Sequence, residues 1–163
     1  EGSNIRECNI KDAFSFLLAR NSLHVRKFST DPHHVIKWID HIRWWIYAKD
    51  IFRFVLTIEN EPKAYFWHSS KCIDGRNYLI GGWFPVESSN AFPFAIKILN
   101  WQLKYCDSIY PNHIWIATIQ AHNQSVIALN RRFGFVDASS DLKLIAKELF
   151  PGTTDDFIIL QRP

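Results

Sequence analysis

At 163 residues, with 47% apolar and 21% charged side chains, the chain is long enough to bury a core without disulfide or metal staples, and a single domain over 1–163 is expected. A net charge of +3, spread along the chain rather than gathered in a run, excludes an extended nucleic-acid tract and leaves room for a local anion site at most. No apolar run is long enough to cross a bilayer, and no basic-then-apolar start marks a signal peptide, so no membrane partner is expected. The three cysteines, Cys8, Cys72 and Cys106, form no CxxC pair, which fits reduced, mostly buried thiols in a cytoplasmic protein.

In chain order, NIRECNI alternates like a strand and KDAFSFLLARNS has helical spacing. After the polar break STDPHH, Val35, Trp38, Ile39, Ile42, Trp45 and Ile46 recur at helical intervals, an apolar face expected to lie in the core. FRFVLTIEN and KAYFWHSS read as two strands of an antiparallel hairpin joined through EP. RNYLIGGWFPV follows DG as a third strand, in which Gly81-Gly82 marks a bulge or a close backbone approach. NAFPFAIKILNWQLKYC reads as a helix capped by Asn90, with Pro93 in the first turn where its missing N–H costs little. HIWIATI is a strand; NQSVIALNRR is a helix capped by Asn123 and ended by Gly134; GFVDA and DDFIILQR are the last strands. The sum is β-α-α-β-β-β-α-β-α-β-β, an α/β domain with a mostly antiparallel mixed sheet of about seven strands flanked by about four helices.

Other chemistries lack their signatures. His34 and His41 stand two helical turns apart, too far to hold one metal, and His33 beside His34 reads as a solvated loop. There is no G-x-S-x-G elbow and no G-x-x-x-x-G-K loop, and Gly81-Gly82 is no dinucleotide fingerprint. No metal is expected.

The stretch NQSVIALNRRFGF resembles the signature of the GNAT acetyltransferase superfamily, in which an Asn after the fifth strand starts a helix ending in a basic-x-G-F turn. The order of elements resembles that fold over nearly the whole chain. The resemblance implies acetyl-CoA as co-substrate, a small-molecule amine as acceptor and a monomer or homodimer. It places the pantetheine arm along Phe84 to Val86 and the pyrophosphate on the turn formed by Asn90, Ala91, Phe92, Phe94 and Ala95. Asn123 is implied to hydrogen-bond the cofactor arm, Asn130 stands near the departing thiolate, and Arg132 or Arg131 reaches phosphate or faces water. Helix N-termini do bind phosphate, through orphan N–H groups and the dipole.

Three positions depart from the family pattern. The glycine-containing pyrophosphate turn is NAFPFA here, and Pro93 removes one N–H. The tyrosine that protonates the leaving thiolate is replaced by Asn130, whose amide is no general acid. A carboxylate on the fourth strand of related proteins is Ile80. The base is therefore sought at His68, at a strand end with a pKa near neutrality, and then at Glu87, with a backbone N–H near Gly81, Gly82 and Trp83 as oxyanion donor.

RNSLHVRKFS followed by HIRWW resembles a GNAT subgroup that acetylates amino sugars on nucleotide carriers, through Arg20, Asn21, Val25, Arg26, His41 and Trp44. In that reading Arg20, Arg26, His41 and Trp44 bind the acceptor; the competing reading leaves Arg26 in solvent and the tryptophans in the core. The same opening also resembles ribosomal-protein N-terminal acetyltransferases. A degenerate GNAT domain serving as a binding module is the alternative outside catalysis.

Overall fold

The computed structural model describes residues 2–89 and 91–163. Its strands form one seven-stranded sheet in the order β1-β2-β3-β4-β5-β7-β6. They are β1 (Ser3–Glu7), β2 (Ile51–Ile58), β3 (Glu61–Ile73), β4 (Arg76–Pro85), β5 (Ile114–Gln120), β6 (Val136–Asp137) and β7 (Phe157–Arg162). The helices are α1 (Ala13–Asn21), α2 (Leu23–Arg26), α3 (Trp38–Tyr47), α4 (Ala91–Ile109), α5 (Gln124–Arg132) and α6 (Ser140–Leu149). Among the described residues no helix is long and apolar enough to cross a membrane.

Turn chemistry sets the first half of the sheet. Glu59 and Asn60 both take positive φ, 52° and 66°, between β2 and β3, and Asp74 and Gly75 do the same at 49° and 75° between β3 and β4. Paired left-handed residues are the hairpin turn that matches strand twist, so the first connection turns on Glu59-Asn60 rather than on EP. β1 also ends earlier than its alternation predicts. Asp12 accepts both Arg6 guanidinium nitrogens at 2.8 and 2.9 Å and the Asn9 N–H at 2.8 Å, which folds Ile10–Asp12 into a short 3₁₀ turn.

The chain divides into two compact units. The first comprises the segment ending at Lys27, Asp31–Ser69 and Gly81–Ile98. Its core gathers Phe16, Ala19, Val55, Tyr65 and Phe84, with Trp44, Trp45 and Trp67 packed against it. The second comprises Phe28–Thr30, Ser70–Ile80 and Leu99–Pro163. Its core is built by Leu79, Leu103, Cys106, Trp115, Ile119, Ile127, Phe135 and Leu160. Burial there pushes the Cys106 thiol up to about 12, so it stays protonated. Cys72 is exposed, against the expectation of mostly buried thiols.

Local detail departs from the expected pattern. The face expected to make α3 a core helix is only partly buried: Trp38, Ile39 and Ile46 are 46%, 51% and 56% exposed, and Val35 precedes the helix. β4 runs continuously through Gly81-Gly82, and a Cβ on Gly82 would come within 3.1 Å of Trp67 Nε1, so an indole approaches the backbone closely at this glycine. Two helices, α2 and α6, add to the four expected. The second is started by Ser139, whose side chain accepts the Leu142 N–H, and it buries Leu142 and Ala146 one turn apart.

Candidate functional site

The site implied for a coenzyme begins on β4. Parallel pairing with β5 runs through Tyr78 with Ile114 and Leu79 with Trp115, and β4 continues to Pro85 after these pairs. Alternation turns Phe84 into the core of the first unit, 4% exposed and edge-on to Phe16 at 4.9 Å, so only its backbone is available to a ligand on the strand edge. Val86 packs on the same core and its N–H donates to the Lys63 carbonyl at 2.9 Å, which ties the strand end to β3.

The next helix starts close by in sequence. α4 opens at Ala91 with Phe92, 48% exposed, then Pro93 and Phe94, and closes its first turn on Ala95, which is fully buried. The N–H groups of the first three helical residues have no intrahelical acceptor, which leaves those of Ala91 and Phe92; Pro93 supplies none, and the Phe94 N–H stands where the first i→i−4 bond of the helix forms. The small side chain at Ala95 lets this turn pack closely. The expected contribution of Asn90 lies outside the described residues.

In the second unit, Asn123 occupies the N-cap position of α5, but with φ −83° and ψ 60° its side chain makes no capping bond, contrary to the expectation. Its backbone is fixed instead: its N–H donates to the Gln120 carbonyl at 2.9 Å and its carbonyl accepts from Ile127 at 3.1 Å. Asn130 serves the fold. It is buried, its amide donates to the Val126 carbonyl at 2.9 Å, and its own carbonyl accepts the N–H groups of Phe133 and Phe135. Arg131 pairs with Asp137 at 2.9 Å, and Arg132 is exposed in the last turn. Gly134, at φ 90°, ends the helix as its position predicts.

The two candidate bases fare differently. His68 is fully buried on β3, stacked on Phe52 at 5.6 Å and Phe54 at 5.4 Å. Burial pushes its pKa down to about 4, because a charged imidazolium loses its hydration there. The ring is neutral at pH 7 but turned away from solvent, which does not present it to an amine. Glu87 is exposed just after β4.

The acceptor residues sit on α1 to α3 in the first unit, and most are engaged internally. Asn21 donates to the Ile36 carbonyl at 2.9 Å and accepts its N–H at 3.0 Å. Arg26 donates to the Asn21 carbonyl at 2.9 Å and the Pro32 carbonyl at 3.0 Å. His41 is buried among Phe16, Trp44 and Trp45 and donates from Nε2 to the Ala13 carbonyl at 2.8 Å. Burial lowers its pKa, against the raising effect of that bond. Trp44 is half-buried under the Arg53 guanidinium, 4.1 Å from its ring centre. Arg53 is not among the expected residues; its one signal in the sequence is a charge inside the apolar run FRFVLTI. Arg20 is the exception: half-buried, with its pKa lowered by desolvation, it has neither hydrogen bond nor ion pair among the described residues. The same residues contain no group of His, Cys, Asp and Glu that could hold a metal ion.

The sequence matches no family model and no curated protein. Solved structures, in contrast, match along nearly the whole chain. A ribosomal-protein-alanine N-acetyltransferase from Brucella melitensis superimposes with a TM-score of 0.75 at 15% identity, covering 98% of each chain. The Salmonella typhimurium protein yncA, solved with its cofactor acetyl-CoA, gives 0.75 at 14% identity over 99% of this chain and 93% of that one. The GNAT domain of PAT from S. lividans gives 0.70 at 12% identity over 98% and 89%. At such identities the likeness concerns the fold: this chain has the mixed α/β, seven-stranded architecture of GNAT acetyltransferases.

Proposed function

We propose that this protein is an acetyl-CoA-dependent N-acetyltransferase acting on a small primary amine, with a nucleotide-linked amino sugar as acceptor. One observation carries the reading: in a GNAT fold, β4 continues to Pro85 past its last pair with β5 and is followed by the N-terminus of α4. An extended pantetheine adds to such a strand edge by backbone hydrogen bonds, and a pyrophosphate is met by the N–H groups of Ala91 and Phe92. The residues fit the coenzyme with one donor fewer than a glycine turn supplies, because of Pro93.

The thioester, when bound, supplies an activated acetyl carbonyl. The chain's own share is positioning and charge stabilisation. Backbone N–H groups between Gly81 and Phe84 hold the negative charge that develops on the carbonyl oxygen. Asn123, whose amide makes no capping bond, holds the coenzyme arm. The exposed carboxylate of Glu87 takes the proton of the attacking amine, directly or through water. Positioning alone lowers such a barrier substantially, so the loss of the leaving-group acid at Asn130 is compatible with turnover.

For the acceptor, the supporting feature is Arg20, a partly desolvated cation whose missing counter-charge a diphosphate would supply. A peptide N-terminus is the second reading, favoured by the likeness to the Brucella melitensis enzyme. Calorimetry with acetyl-CoA, followed by thiol release with a nucleotide-linked amino sugar and a peptide panel, tests both. The expected result is binding and release with the sugar; no heat at millimolar coenzyme would leave a binding module in place of an enzyme.

A further inference from the structure

We propose that the outer face of α1 and α3 docks a second copy of this chain, making the protein a twofold homodimer held through its first unit. Phe14 and Leu18 on α1 are each 57% exposed, while Ala13, Phe16, Leu17 and Ala19 of the same helix are buried. The two stand one turn apart on one side of the helix. On α3, Trp38 and Ile39 are exposed as well, and Ile46 follows Ile39 two turns further on. All of these residues belong to the first unit.

Three contacts join them into one surface. Trp38 lies edge-on to Phe14 with ring centres 5.7 Å apart. His41 reaches the Ala13 carbonyl at 2.8 Å, and the Asn21 side chain is bonded to both backbone groups of Ile36. The chain from 36 to 41 therefore runs back along α1 from its end to its start, which carries the exposed Val35 to the Leu18 end and Trp38 to Phe14.

Area and charge name the occupant. With about 200 Å² for a whole aromatic side chain and somewhat less for an aliphatic one, the half-exposed Phe14, Leu18, Val35, Trp38, Ile39 and Ile46 present roughly 500–600 Å² of apolar surface. A standard interface takes about 800 Å² from each partner, about 60% of it apolar, or about 500 Å². The face thus matches one side of a stable dimer. Asp40 and Arg43 are exposed beside Ile39, and neither has an ion pair or hydrogen bond within the chain among the described residues. An acid followed three residues later by a base is complementary to its own antiparallel copy. About a twofold axis crossing α3 between residues 41 and 42, Asp40 of each chain meets Arg43 of the other.

Mass in solution tests the pairing. Sedimentation at about 100 µM, well above the micromolar limit of standard interfaces, is expected to give twice the 19.2 kDa of one chain. Phe14→Glu, at a solvent-facing position, is expected to keep the circular dichroism of the fold and to raise the dimer Kd at least about 100-fold. Asp40→Arg and Arg43→Asp are each expected to weaken the dimer about tenfold, and the two together to restore it to within about threefold. Should Phe14→Glu fail to fold, the charge series decides alone. A wild-type monomer at that concentration, a Phe14→Glu dimer as tight as wild type, or a double charge variant no tighter than the singles overturns the proposal. A wild-type monomer that binds phosphatidylcholine–phosphatidylglycerol vesicles, with binding lost in Phe14→Glu, overturns it too and gives the face to a membrane. Mass does not depend on acetyl transfer, so failure of the dimer leaves the transferase reading untouched.

Discussion

The α1–α3 region and the β5–α5 turn use their polar side chains in opposite ways. In the first, Asn21, Arg26 and His41 match an acceptor-binding pattern, yet each is engaged with a backbone carbonyl of its own unit. In the second, the Asn123 amide makes no cap bond although its position calls for one. A residue in a motif declares a type; only its hydrogen-bond accounting shows whether that type is available to a ligand. Arg20 belongs with the second group by this test, although its position lies in the first.

The largest expected effect tests whether His41 is scaffold. His41→Ala removes a fully packed ring and its bond to Ala13, and is expected to cost about 4 kcal/mol in urea unfolding. A small stability change with a large rise in acceptor KM would make His41 a ligand and erase the contrast.

His68 gives a pH signature next in size. Its folded pKa of about 4 lies below its ordinary 6.5, so the unfolded chain binds the proton more readily. Stability is fully present above pH 6.5 and is lost as pH falls from there towards about 4, by on the order of 3 kcal/mol. His68→Phe, which continues the stack between Phe52 and Phe54, is expected to flatten that slope without lowering kcat/KM. A collapse of kcat/KM would restore His68 as the base.

Arg26→Gln sharpens the comparison further. Loss of its bonds to the Asn21 and Pro32 carbonyls is expected to cost about 1–2 kcal/mol and to speed amide exchange around Ile36, with acceptor KM little changed. Asn123→Ala has the smallest effect on folding, within about 0.5 kcal/mol because no cap bond is lost. It should still weaken acetyl-CoA about tenfold, or about 1.4 kcal/mol. A stability loss equal to the affinity loss would return Asn123 to the scaffold.

Much of the architecture was legible in the residues. Apolar periods, the Asp74-Gly75 turn and Gly134 placed the seven strands and four of the helices. The burial of α3 was not, because helical spacing of Trp38, Ile39 and Ile46 makes an apolar face but does not say what covers it. The extents of β4 and α4 were legible for the same local reasons, whereas the fate of His68 depended on Phe52 and Phe54 arriving from the neighbouring strand.

What the sequence determined by itself is local: which stretches extend, which coil, where φ turns positive, and that Pro93 withholds an N–H from the first turn of α4. Which polar groups are spent and which are left for a ligand was decided only by tertiary structure. Hydrogen bonds such as Gln120 to Ser29 or His41 to Ala13 join residues far apart in the chain, and no spacing along one element encodes their partners.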